Sequence, residues 1–280
     1  GADRESLVEA IAHLGAPDEL RLPFDEAMAS GTPAPRATLL LGALAEARRK
    51  RGVMPSGELS AVGRLIQSPD AALATAAIAA AGAWQVESVA GELSGVATAP
   101  GRDLPLRQAA VAALGNLPGR VAHDRLMGIA REDGTPEPIV AGALAALVPR
   151  SVSDAAPLTA AWLARGPGDA AIHDVMRAFL RTRDGAERLA EALASAMPTP
   201  LAARTALQDV TAAGRPEPRL SAVLERAAEP AGGRSMTAEE RASILARVGG
   251  GADAGRGREL YRRANLRCTA CHRIDREGGR

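Results

Sequence analysis

The 280-residue sequence predicts an all-α fold, a solenoid of about six stacked helical pairs, on three observations. The chain is 46% hydrophobic but only 2% aromatic, and roughly a fifth of it is Ala. A β-sandwich or barrel of this length fills its layers with aromatic and β-branched side chains, so those classes are excluded. Ala suits close helix–helix contacts, because it has high helix propensity and loses no side-chain entropy on packing. The second observation is punctuation at a fixed period: a hydroxyl residue followed by Pro occurs at Thr32-Pro33, Ser68-Pro69, Thr135-Pro136 and Thr199-Pro200. These spacings of 36, 67 and 64 residues describe one unit of about 33 residues with two disguised starts, at Asp103-Leu104-Pro105 and Gly168-Asp169. The third is that apolar residues recur at helical spacing twice within each unit.

Taken in order, Asp3–Leu14 and Pro23–Ala29 form an N-terminal cap, and the units begin after Thr32. Pro69–Gly82 pairs with Val86–Val96. The clearest copy is Pro105–Asp133, in which Leu106, Ala109, Ala110, Ala113, Leu114 and Leu117 line one helix, Gly115 to Gly119 make the turn, and Val121, Leu126, Ile129 and Ala130 line the next. Glu137–Val148 pairs with Ala155–Leu163, Ile172–Leu180 with Ala186–Ala196, and Leu201–Ala213 with Leu220–Ala228. A pair of this size cannot bury its apolar stripe alone, so successive pairs must stack. Beyond them, Thr237-Ala238-Glu239-Glu240 has the form of a capping box and starts a bridging helix that ends near Val248. Gly249 to Gly257 lacks the Lys-Ser/Thr ending of a phosphate loop and follows no strand, so it reads as a flexible linker. Asp253 then caps a helix from Ala254 to about Ala264.

Leu106-Arg107-Gln108-Ala109-Ala110-Val111-Ala112-Ala113-Leu114-Gly115 resembles the first helix of a HEAT repeat. Tetratricopeptide repeats would carry Trp, Tyr and Phe at set positions that these aromatic-poor units lack, while armadillo repeats, which usually run longer with a third helix, stay open as an alternative. The expected organisation is a HEAT-like solenoid over 1–235, a bridging helix and Gly-rich linker over 236–252, and a separate segment over 253–280.

The 34 basic and 33 acidic residues leave a formal charge of +1, so no global field marks a nucleic-acid binder. Every basic residue but Lys50 is Arg, spread along the whole chain in the manner of a compositional bias. The longest uncharged run, Ala71 to Val86, is short and mostly Ala, and no transmembrane segment is expected. The chain starts at Gly1 without an initiator Met or a signal-like segment, as a processed or excised piece would.

The only two Cys residues, Cys268 and Cys271, are followed directly by His272. Two thiols three residues apart can add to the vinyl groups on one edge of a haem while the adjoining imidazole faces the iron, so the spacing suits c-type haem attachment. A redox dithiol is the first alternative, though the βαβ context of a thioredoxin motif is missing; zinc is the second and would need a further ligand from a distant His or another chain. Elsewhere, His13, His123 and His173 sit on predicted helices among charged neighbours with no Cys, His or paired carboxylate at ligand spacing and read as solvated or capping side chains. Trp84 and Trp162 read as core anchors. Nothing resembles a Ser/His/Asp or Cys/His catalytic set.

The stretch Gly255-Arg256-Gly257-Arg258-Glu259-Leu260-Tyr261-Arg262-Arg263 through Cys268-Thr269-Ala270-Cys271-His272 resembles the N-terminal helix and haem-binding turn of a class I cytochrome c. Helical repeats running into such a segment are similar to the large haem-binding, membrane-bound dehydrogenase-like C-x-x-C-H proteins of the Planctomycetes and Verrucomicrobia group. That resemblance implies Cys268 and Cys271 as thioether ligands of a covalent haem c, His272 as proximal iron ligand, and Gly257 and Tyr261 packed against a second helix. It implies an electron-transfer module, performing no bond chemistry itself, in a larger sugar or alcohol dehydrogenase-like protein. Its partners would be a redox protein or an upstream dehydrogenase domain, with protein contacts through the solenoid, and its location periplasmic or otherwise extracytoplasmic. Eight residues follow His272, none of them Met or His, so the segment is expected to be the start of a cytochrome domain without its distal ligand. From Asp253 to Arg280 eight Arg face four acidic residues, a rim that could steer an acidic redox partner. The alternative function is a non-catalytic interaction scaffold whose helical face docks a partner.

Overall fold

The computed structural model describes residues 2–229, 237–249, 251, 253–263, 273–274 and 277–278. It divides into two units, Gly1–Pro230 and Ala231–Arg280. In the first, α1 (Ala2–Leu14) and α2 (Arg21–Met28) precede six consecutive helical pairs. These are α3 (Ala34–Arg51) with the short α4 (Gly63–Ile66), α5 (Ala71–Trp84) with α6 (Ala90–Thr98), α7 (Leu104–Asn116) with α8 (Gly119–Arg131), α9 (Glu137–Leu147) with α10 (Val152–Leu163), α11 (Asp169–Arg181) with α12 (Gly185–Leu193), and α13 (Pro200–Ala212) with α14 (Pro218–Ala228). The odd helices from α3 to α13 pack each on the next, and the even helices pack in two runs, α4–α6–α8 and α10–α12–α14. The first unit is therefore an all-α, solenoid-like array in two layers. The second unit contains α15 (Ala238–Gly249), α16 (Ala254–Arg262) and a two-residue antiparallel ladder, β1 (Arg273–Ile274) with β2 (Glu277–Gly278).

The composition explains the layers. One buried cluster runs from Val8 to Ala227 without a break, and Ala74, Ala77, Ala80 and Ala81 of α5 are wholly or almost wholly buried. Small residues let the odd helices approach closely. A Cβ on Gly82 would lie 3.1 Å from the Ala113 backbone, and one on Gly115 would lie 2.9 Å from the Ala146 Cβ. Trp84 and Trp162, read from the sequence as core anchors, are buried, and Phe24 and Phe179 are fully buried. Phe24 meets Trp84 edge-on, with ring centroids 5.7 Å apart, a favoured arrangement for two ring quadrupoles.

The helix starts fall where the punctuation puts them, but the capping chemistry differs. Only Thr199 among the four hydroxyls caps as expected, accepting from the Ala202 amide at 3.3 Å. Thr32 instead donates to the Glu26 carbonyl at 2.5 Å, and Ser68 supports the turn by accepting from the Asp70 amide at 3.2 Å. Asp70 is the residue that caps α5, through the Leu73 amide. Pro33, Asp103 and Pro136 are N-caps without a side-chain bond. Pro in the first turn, whose missing N–H has no helical partner to lose, suffices there.

The Arg residues are more than a compositional bias. Arg51 donates to the Leu14 and Gly15 carbonyls, Arg102 to Gln67 and Ser68, Arg150 to Gly115, Leu117 and Gly119, and Arg215 to Leu180. Each acceptor lies about one repeat back, and all but Gly119, the first residue of α8, sit at or just past the C-terminal end of a helix, where the last carbonyls have no intrahelical partner. A planar guanidinium with five donors can serve several such carbonyls at once and complements the negative end of the helix dipole. Buried Arg107 does the same for Ala97 at 2.8 Å.

Candidate functional site

The approach to the predicted haem turn is built by local chemistry. The Thr237 hydroxyl accepts from the Glu240 amide at 3.2 Å, while the Glu240 carboxylate accepts from the Thr237 amide at 2.9 Å. This is the reciprocal capping box that the sequence proposes. Asp253 caps α16 through the Arg256 amide at 3.0 Å. None of the described residues of α16 is buried; Leu260 is exposed and Tyr261 half-buried. A Cβ on Gly257 would meet nothing within 4 Å.

Cys268, Cys271 and His272 lie outside the described residues, as does Ala264 at the predicted end of the helix. On their far side the chain enters the β1–β2 ladder, with Arg273 opposite Gly278 and Ile274 opposite Glu277. The donor set itself is two thiols and one imidazole within five consecutive residues, and it fits covalent attachment of a haem with one axial ligand. Between Thr237 and Arg280 there is no Met and no other His. Among the described residues no group of three or more His, Cys, Asp or Glu side chains could hold a metal ion.

No protein-family model and no curated protein matches the chain. Among the described residues, no helix is long and apolar enough to cross a membrane.

Two polar constellations escape a local reading of the sequence. His123 of α8, expected to be solvated or capping, has its Nε2 3.1 Å from the Asp154 carboxylate of α10. His173 of α11 places Nδ1 at 2.8 and 2.9 Å from the two Asp209 oxygens of α13. Their partners are 31 and 36 residues away, one repeat along, so no ligand spacing within a helix betrays them. His173 and Asp209 open into a groove of about 370 Å³ between α11 and α13. His123 and Asp154 line a second of about 300 Å³. Two carboxyls sit below the ordinary carboxylate range, Glu46 through its bond from Lys50 and Glu58 through the Ser60 amide, and neither borders these grooves.

Proposed function

We propose that the chain is an electron-transfer module in which HEAT-type repeats carry the opening helix and attachment turn of a class I cytochrome c. The observation that carries this reading is the run Cys268-x-x-Cys271-His272 directly behind a helix capped by Asp253. Cys268 and Cys271 would hold the haem through thioether bonds to its two vinyl groups, and His272 would ligate the iron through a ring nitrogen. Bound there, the haem supplies one-electron exchange between its ferric and ferrous states. Arg256, Arg258, Arg262 and Arg263 crowd the approach with positive charge, which favours an acidic carrier and makes the encounter sensitive to salt. Attachment of this cofactor follows export, so an extracytoplasmic site accompanies the reading.

The test is co-expression of the chain with a haem c maturation system. The expected result is haem stain that survives denaturing electrophoresis and a sharp α-band in the reduced-minus-oxidised spectrum. Both should vanish when Cys268 and Cys271 are replaced by Ala. Wild-type chain without stain, or a double variant that keeps it, overturns the reading.

The scaffold reading draws on a shallow apolar groove of about 330 Å³ between α5 and α7, floored by Ala79, Gly82, Ala83, Ala109 and Ala112. Ala109→Glu should abolish capture of a partner by the full chain if the groove docks one; capture at wild-type strength would count against it.

A further inference from the structure

The two His–Asp grooves share an architecture and differ in charge. Each lies between corresponding helices of successive pairs, with a His from one repeat against an Asp from the next. The α8–α10 groove sets one arginine, Arg120, against Asp124 and Asp154, and Arg120 is paired with Asp124 at 3.5 Å. The α11–α13 groove sets Arg177, Arg181 and Arg215 against Asp209 alone. Asp209 is already engaged with both oxygens on the His173 Nδ1.

Arg177 and Arg181 stand at i and i+4 on one face of α11, the first of them one turn beyond His173. Two like charges at that spacing are mildly unfavourable unless something between them answers it. Arg177 has only the exposed Asp174 of its own helix, at 3.3 Å. Arg215, across the groove, is held in place by the Leu180 carbonyl and by Glu217 at 2.8 Å. Arg181 has no hydrogen-bond or ion-pair partner among the described residues. The floor is Leu180, Ala212 and Ala213, with no aromatic ring on which a base or sugar could stack.

We propose that this groove binds a small phosphate-bearing molecule, its oxyanion held by Arg177, Arg181 and Arg215 beside the second ring nitrogen of His173. Guanidinium groups match a tetrahedral oxyanion with paired hydrogen bonds. The volume is at the low end for ligand pockets, and the floor of short aliphatic side chains suits a short organic phosphate or inorganic phosphate. The site is independent of the haem reading.

Calorimetric titration of the full chain with inorganic phosphate and, separately, glycerol phosphate at low ionic strength tests it. Saturable binding of at least one is expected. Tighter glycerol phosphate would mark an organic ester as the ligand, and equal binding would mark phosphate itself. Arg181→Gln, an exposed change that leaves the core untouched, should weaken binding roughly tenfold, whereas Arg120→Gln in the other groove should leave it unchanged. No saturable binding of either probe, equal weakening by both substitutions, or binding of an acidic peptide in preference to both phosphates would overturn the proposal.

Discussion

α13 and α15 are 13 and 12 residues long and each begins at a threonine cap. α13 nevertheless buries Ala202, Ala203, Thr205, Ala206 and Val210, while α15 leaves Ile244, Leu245 and Val248 exposed at 45%, 66% and 56%. Helices this short are marginal in water on their own. α13 is therefore held by its neighbours in the stack. α15 is held by its capping box, by Glu239 and Glu240 in the first turn and by Arg247 in the last, which complement the dipole at both ends. The two units of the chain thus reach the same secondary structure by different means, and substitutions of one kind should have unequal consequences in each.

The largest contrast is in the core. Phe179→Ala removes a fully buried ring from α11 and should cost about 3–5 kcal/mol in urea unfolding followed by circular dichroism. Leu245→Ala in α15 should shift the same transition by no more than about 0.5 kcal/mol. A comparable loss at Leu245 would mean that α15 is packed in solution and would erase the distinction.

Glycine offers a contrast in sign. A Cβ on Gly185 would lie 2.2 Å from the Phe179 carbonyl oxygen, a backbone atom that cannot swing aside, so Gly185→Ala should cost about 1–3 kcal/mol. Gly257 faces open space in the middle of α16. Gly257→Ala should raise the helicity of the second unit, by about 0.5–1 kcal/mol of helix stability. A fall in helicity would place a packing partner against Gly257, as the cytochrome resemblance implies.

Arg150 tests how firmly repeats are joined. Its guanidinium serves the Gly115 and Leu117 carbonyls at the end of α7 and the Gly119 carbonyl at the start of α8. Arg150→Met should leave those groups without their donor and cost about 1–3 kcal/mol. Because each repeat touches only its neighbours, the denaturant slope should fall as well if the junction loosens. Arg150→Lys should not restore it, since one ammonium cannot span three carbonyls. A slope unchanged in the Met variant would show that apolar packing alone couples the repeats.

Legibility followed distance along the chain. The helical pairs could be placed because Pro and the apolar period act within a few residues of where they stand. Cys268, Cys271 and His272 could be singled out because the motif that the proposed haem attachment would need is contained in five consecutive residues. The partners of His123 and His173 could not, because Asp154 and Asp209 come from the next repeat. The signal that would have found them is the period itself: opposite charges about 33 residues apart on corresponding helices. The same search would have paired Arg219 with Glu187 and Arg165 with Asp133, both 32 residues apart. Thr32 and Ser68 misled for the opposite reason. A hydroxyl before Pro can cap a helix or close the preceding turn, and only the path of the incoming chain decides which.

The finest contrast compares the two threonine caps. Each hydroxyl accepts one amide, from Ala202 at 3.3 Å and from Glu240 at 3.2 Å, so Thr→Ala removes the same bond in both places, worth about 1 kcal/mol. In α13 that loss is shared with the whole stack, and Thr199→Ala should move the main unfolding midpoint with no change in native helicity. In α15 the described residues are exposed or half-buried, so the loss falls on the helix itself. Thr237→Ala should lower the native circular dichroism signal and hasten amide exchange in Arg241 to Ile244, leaving the main transition where it was. If Thr237→Ala moved the main transition as far as Thr199→Ala does, the second unit would be drawing its stability from the stack, and local capping would not be the reason α15 is helical.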